Sequence, residues 1–225
     1  MIHVFGDPEP PVPRLLSQLA HRGHVLGRPD GEPSGATSTL VLTARAALDA
    51  MALAVLLGAW RKTPRARVLV ISSIGAHRDA RVERLRRLWE LEENVRATRL
   101  PLLVLRLGAL VGPDSPLWLR LRSGASPGRQ GAALVQPVLE SEVVDSLDRA
   151  LRGAVAWEGW FELVGPEVLT LAELSELASA PGPARGAERG EWEPELEELA
   201  TLKLAENQAW RSHFGLEVRP VSAAA

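Results

Sequence analysis

The stretch RVLVISSIGA, residues 67–76, decides the fold. Val68, Leu69, Val70 and Ile71 form an unbroken apolar, mostly β-branched run, too short for a buried helix and suited to a strand covered on both faces. Such strands occur in the middle of parallel sheets, where helices pack above and below. Ser72, Ser73 and Gly75 then break the run at the end where ligand crevices form in open α/β sheets.

Working outward, LPLLVLRLGALVGP (100–113) holds a second buried strand, Leu102 to Leu107, closed by Gly112-Pro113. Between the two lies an amphipathic helix, Arg81 to Thr98, with Val82, Leu85, Trp89 and Val95 on one stripe. Upstream, strands are expected at Ile2–Phe5, His24–Gly27 and Leu40–Thr43, and helices at Arg14–His21 and Ala46–Trp60. The helix 46–60 is apolar nearly all the way round, which predicts burial on more than one side. Downstream, Ala133–Leu139 reads as extended, Ser141 as the cap of a helix running to Arg152, and Phe161–Val164 as a last strand. Thr170-Leu-Ala-Glu173 is a capping box opening a further helix. Arg28–Ser38 and Gly124–Gly131 read as loops, Pro181–Gly190 as a linker, and Glu193–Ala209 as an acidic helix. Strands alternating with helices imply a parallel α/β sheet with right-handed crossovers. The expected organisation is one domain over 1–180, with 181–225 as linker and C-terminal helical segment packed on it.

Composition narrows the chemistry. The 225 residues carry 46% apolar and 24% charged residues, ordinary for a globular chain. A formal net charge of -2 gives no global reason to expect nucleic acid or acidic lipid. With no cysteine, disulfides, thiolate nucleophiles and Cys-ligated metals are excluded. With no tyrosine, so is any step that needs a phenol. Only Lys62 and Lys203 are lysines, so the remaining cationic side chains are arginines. The N-terminal segment is acidic and proline-rich, unlike a signal peptide, and the longest apolar stretch is interrupted by Asp49. The expectation is a cytoplasmic protein without membrane insertion.

VLVISSIGA (68–76), EENVRAT (92–98) and LPLLVLRLGALVGP (100–113), in that order and spacing, resemble the short-chain dehydrogenase/reductase superfamily. The atypical and extended branch is most similar: NmrA-like proteins and NAD-dependent epimerase/dehydratases. VQPVLESEVVDSLDRAL (135–151) and FELVGPEVLTLAELSEL (161–177) resemble that branch's later segments. The resemblance covers most of residues 1–180. It implies a Rossmann-like, doubly wound parallel sheet with a small C-terminal lobe. It also implies NAD(P) binding and reduction, epimerisation or isomerisation of small molecules, although some relatives are redox sensors or non-catalytic subunits.

Three departures from the family pattern redirect the functional expectation. The family's first strand runs into Gly-x-x-Gly-x-x-Gly, whose backbone cradles the cofactor pyrophosphate. Here the segment is GDPEPPVPR (6–14): Gly6 remains, Glu9 and Val12 replace the second and third glycines, and four prolines remove N–H donors. A Glu9 carboxylate ~5 Å from a phosphate charge costs roughly 3 kcal/mol at an effective dielectric of ~20, over a hundredfold in affinity. Arg14 could offset part of this. Second, Arg28–Ser38 is too short for the family's third strand and its helix, which form the adenine side of the pocket. Arg28 stands where some relatives hold the NADP 2′-phosphate. Third, the Tyr-x-x-x-Lys positions correspond to Arg84 and Leu88, although Ser72 and Ser73 stand where the supporting hydroxyl belongs.

The expectation is therefore a truncated, degenerate member, a pseudoenzyme acting through protein–protein contacts or self-association. No cofactor is expected, with NADP the fallback. The alternatives are an NAD(P)H-dependent enzyme or a cofactor-free isomerase or cyclase on a small metabolite, with Ser72, Ser73 and His77 as the catalytic candidates. No metal site is expected, because His21 and His24 do not share a helix face. Trp157, Trp160 and Trp192, in Gly- and Glu-rich surroundings, are the partner-binding candidates. Helices 46–60 and 81–98 correspond to those that pair in many family dimers.

Overall fold

A computed structural model describes residues 1–5, 11–27, 37–44, 46, 49–113, 115–123, 131–178 and 204–223. Its centre is the predicted strand, β4 (Arg67–Ser73), paired in parallel with β3 (Thr39–Leu42) and β5 (Leu102–Leu107). β1 (Ile2–Val4) and β2 (Leu26–Gly27) extend the sheet on one side, and β9 (Trp160–Leu163) on the other. The order is β2-β1-β3-β4-β5-β9, parallel throughout. From β1 the chain steps outward to β2, then returns to place β3 on the other side of β1. The strand order reverses there, and among the described residues β3 is the next strand after β2: the sheet is doubly wound.

Alternation along the strands makes both faces apolar. Leu69, Ile71, Leu103, Leu105 and Phe161 pack against α1 (Val12–His21), α5 (Glu140–Leu151) and α7 (Gln208–Phe214). Leu40, Leu42, Val68, Val70 and Val104 pack against α2 (Ala50–Trp60) and α3 (Glu83–Arg96). A third cluster builds a small lobe beyond the strand C-termini. It joins β6 (Ala109–Val111), α4 (Pro116–Arg122), β7 (Leu134–Val135), β8 (Pro137–Leu139) and α6 (Leu171–Ala178) around Trp118, Leu121 and Leu174. β6 pairs with β8 in parallel, and β7 pairs antiparallel with β10 (Leu169–Thr170).

The capping box forms as read: Thr170 N–H donates to Glu173 Oε2 at 2.7 Å and Glu173 N–H to Thr170 Oγ1 at 3.1 Å. That backbone hydrogen bond is the main reason the Glu173 carboxyl lies below its ordinary range.

Several expectations are corrected or refined. α2 starts at Ala50 rather than Ala46, because Asp49 Oδ1 accepts from the Ala52 N–H and caps it. That helix buries one side only, through Leu53, Leu57 and Trp60, and leaves Met51 80% and Val55 71% exposed. Ser141 is not the cap of α5: the helix begins one residue earlier, and Ser141 Oγ accepts from Arg219 instead. The stretch 133–139 is two short strands split at Gln136. Its amide clamps the backbone of Ala205, donating to the carbonyl at 3.0 Å and accepting from the N–H at 2.5 Å. Of the expected acidic helix Glu193–Ala209, residues 193–203 lie outside the described ones, and the described part turns helical only at Gln208.

Candidate functional site

In an open α/β sheet the ligand crevice lies at the strand C-termini where strand order reverses, here between β1 and β3. The nearest helix N-terminus is that of α1. In a dinucleotide site this end presents free N–H groups to phosphate. Here Pro11 and Pro13 have none, and the N–H groups of Arg14 and Leu15 both donate to the Pro11 carbonyl, at 3.2 and 3.3 Å. Val12, at the third glycine position, is 2% exposed and packed in the main core. Gly6 and Glu9 lie outside the described residues, as do Arg28 and Trp192.

Arg14 is already engaged within the chain. Its Nε donates to Glu140 Oε1 at 2.6 Å, and Gln18 Nε2 donates to the same oxygen at 2.7 Å. Glu140 is 2% exposed and opens α5 beside the Gly112 turn. A Cβ on Gly112 would stand 2.5 Å from Glu140 Oε2, so only glycine lets that carboxylate lie where it does. The first turn of α1 thus faces an internal anion.

The two serines do not form a catalytic pair. Neighbours in a strand point to opposite faces. Ser72, in register with Arg106, turns toward α3 and donates from Oγ to Glu92 Oε1 at 2.5 Å. Glu92 is fully buried and also accepts from Arg106 Nε at 3.1 Å and Nη2 at 2.6 Å. The hydroxyl at the family's serine position therefore satisfies a buried ion pair. Ser73, in register with Leu107, is buried toward the opposite face. His77 reaches neither serine: its Nδ1 accepts from the Asp79 N–H at 3.1 Å, on an exposed turn.

The tryptophans divide. Trp157 is half-buried and serves the fold, its Nε1 donating to the Ala150 carbonyl at 3.1 Å and its ring lying under the Arg67 guanidinium at 4.0 Å. Trp160 on the outer strand β9 remains 48% exposed, with Arg106 stacked on its ring at 4.9 Å. His24 binds Asp148 at 2.6 Å and His21 binds its own helix. Among the described residues no cluster of three His, Asp or Glu side chains is placed to hold a metal, and no helix is long and apolar enough to cross a membrane.

Sequence reasoning missed Glu92, Glu140 and Glu142. Glu92 had a signal, since it falls on the buried stripe of α3 with Leu88 and Val95. Glu142 is buried in α5, where it accepts from the Arg219 N–H at 2.7 Å and ties down the C-terminal segment. Burial holds its carboxyl above the ordinary range, against the hydrogen bonds from Arg219.

No protein-family model and no curated protein matches the sequence. The fold, however, has many solved counterparts. A nucleoside-diphosphate sugar epimerase from Corynebacterium glutamicum superposes with a TM-score of 0.66 at 16% identity, over 99% of this chain and 56% of its own length. This chain therefore spans little more than half of that structure. A putative epimerase from Burkholderia cenocepacia gives 0.64 at 14% identity, over 99% of this chain and 94% of its own. MoeE5, solved in complex with UDP-glucuronic acid and NAD, gives 0.62 at 15% identity, over 97% of this chain and 94% of its own.

Proposed function

We propose that this chain, which has the Rossmann-like fold of the NAD-dependent epimerase/dehydratase structures, does not use the cofactor. It acts as a non-catalytic binding or structural subunit through protein contacts. The observation that carries this reading is the start of α1. Two of its first residues have no N–H, the next two N–H groups are spent on Pro11, and Arg14 is held by Glu140. An incoming pyrophosphate would have to displace a buried carboxylate from Arg14 and Gln18, and stripping one partner from such a pair costs several kcal/mol. The residues therefore fit a dinucleotide poorly. The chain also lacks the tyrosine that serves as acid in the family's usual reaction, and Ser72 is turned into the core. Trp160, a half-exposed aromatic with an arginine stacked on it, is the kind of anchor that protein interfaces use.

A second reading, a nucleotide-sugar enzyme, draws on the neighbours described as epimerases and on the one solved with UDP-glucuronic acid and NAD. The dinucleotide content of the purified full chain separates the two. Denaturing the protein and assaying the released nucleotide should give none above background. Stoichiometric NAD or NADP would overturn the non-catalytic reading.

A further inference from the structure

Two loops at the N-terminal end of the sheet, opposite the crevice, carry a residue that their backbone does not favour. Between α2 and β4 the chain turns through Thr63-Pro64-Arg65-Ala66, closed by the Ala66 N–H on the Thr63 carbonyl at 3.3 Å. Proline second and a left-handed residue third is the pattern of a type II turn, whose third place ordinarily belongs to glycine. Here that residue is Arg65, at φ 56°. Between α3 and β5 the turn that leaves the helix closes at Arg99, φ 61°, whose N–H donates to the Arg96 carbonyl at 3.2 Å. Glycine is again the usual residue in such a left-handed place. Among the described residues, Arg65 and Arg99 are the non-glycine residues with positive φ. A side chain there costs stability, and strain of this kind collects where a protein uses the side chain.

The two arginines fall together. Val68 of β4 is in register with Leu102 of β5. Counting back three residues on each chain brings Arg65 and Arg99 to the same level on neighbouring strands, with backbones ~5–10 Å apart. Arg61 and Lys62, which follow α2, lie at the same end. All four are exposed. Among the described residues none of the four has a hydrogen-bond or ion-pair partner for its side chain.

The acids of this end are engaged elsewhere. Glu93 holds Arg96, Asp145 holds Arg22, and Asp148 holds His24 and Arg152. Glu158, in the loop before β9, pairs with none of the four cations. Four cations gathered without an anion repel one another. The dipole at a helix C-terminus favours a cation, but it does not require one on a left-handed backbone. The cluster lacks an anion that the described chain does not supply.

We propose that Arg61, Lys62, Arg65 and Arg99 form a docking surface for an acidic segment of a partner protein. Charge complementarity fixes the sign of the occupant. The size of the patch fixes its kind: two adjacent loops offer a few cations, bordered by the carboxylates of Glu93 and Asp148, and not the long track of phosphate contacts that nucleic acid binding uses. The inference does not depend on the reading of the crevice, which lies at the other end of the sheet. Cofactor binding would overturn that reading and leave this one standing.

Fluorescence anisotropy of a labelled peptide of about ten glutamates, titrated with the full chain from about 10 μM to 1 mM at low salt, tests it. The wild type should bind saturably with a dissociation constant on the order of 100 μM, and the binding should disappear toward 1 M salt, where charges are screened beyond ~3 Å. Arg65→Gly and Arg99→Gly should each weaken binding roughly threefold, and the double variant about tenfold. Each should also raise the melting temperature by roughly 1–3 °C, because glycine relieves the left-handed backbone. Arg81→Gln, which removes an exposed arginine ahead of α3 at the other end of the sheet, should leave binding unchanged. Four results would overturn the proposal: no saturable binding up to 1 mM, a double glycine variant that binds as the wild type does, an equal loss from Arg81→Gln, or a loss of binding that comes with a lower melting temperature. Tighter binding of single-stranded DNA of matched charge, or of phosphatidylserine vesicles, would overturn it as well.

Discussion

Replacing Arg106 by methionine keeps the length and apolar stem of the side chain but removes the three hydrogen bonds that its guanidinium makes to Glu92, at 3.1, 3.2 and 2.6 Å. Glu92 is fully buried, and Ser72 is then the one described donor left to its carboxylate. Breaking a buried pair by removing one partner costs about 3–5 kcal/mol, because the remaining charge stays desolvated. Arg106 is 16% exposed, so water entering beside Trp160 favours the lower end, about 3 kcal/mol. For a chain of this size each kcal/mol moves the melting temperature by roughly 2–4 °C, so the loss should be about 6–12 °C. Urea unfolding of a double-mutant cycle provides the assay. Glu92→Gln, placed in the Arg106→Met background, removes the stranded charge, keeps an acceptor for Ser72, and should restore at least half of the loss. A cost below about 1 kcal/mol for Arg106→Met, or a Glu92→Gln effect equal in both backgrounds, would refute the assignment of this pair to the folded core.

The other predictions concern packing and protonation. A Cβ on Gly165 would stand 2.0 Å from the backbone carbonyl oxygen of Pro137, so Gly165→Ala should unfold the chain or lower its melting temperature by 10 °C or more, on the order of 3 kcal/mol. Gly58→Ala, with open space around it, should raise the melting temperature slightly in the same scan. Burial raises the Glu142 carboxyl, so the folded chain holds that proton more tightly than the unfolded one. Its contribution is fully present below the unfolded value near ~4.3 and is lost as pH rises through the folded value. The stability of Glu142→Gln relative to the wild type should therefore improve as pH is raised from about 4.5 to 7, and a flat difference would contradict it. Asp148 acts in the opposite sense: burial raises its carboxyl, but hydrogen bonds from Arg152 and His24 outweigh that and lower it. The stability it adds is lost only in stronger acid, as pH falls below the unfolded value near ~3.9.

Much of the architecture was legible because it is local. The β-branched run at Val68–Ile71, the apolar strand Leu102–Leu107 and the Thr170–Glu173 box each carry their signal within a few residues. The step from β2 straight to β3 on the far side of β1 was legible as a length, since Arg28–Ser38 is too short for a strand and a crossover. What escaped was non-local. Arg106 is the single charge in the apolar strand LLVLRL, but its partner Glu92 becomes evident only once α3 is laid over β4 and β5. Arg14 and Glu140 are 126 residues apart, and nothing in either segment announces the other. α2 misled because an all-apolar helix reads the same whether its second side is covered by its own chain or not. The exposed Met51 and Val55 separate those cases, and sequence periodicity cannot.

The central proposal is that the crevice between β1 and β3 does not bind a dinucleotide. The most direct measurement is a titration of the full chain with NADH and NADPH, following energy transfer from tryptophan to the nicotinamide. The account predicts no saturable transfer up to about 1 mM of either cofactor, in line with an internal carboxylate on Arg14 and no N–H on Pro11 or Pro13. Saturation with a dissociation constant near or below 10 μM, roughly 7 kcal/mol of binding, would contradict it and return the chain to the enzymes whose fold it shares.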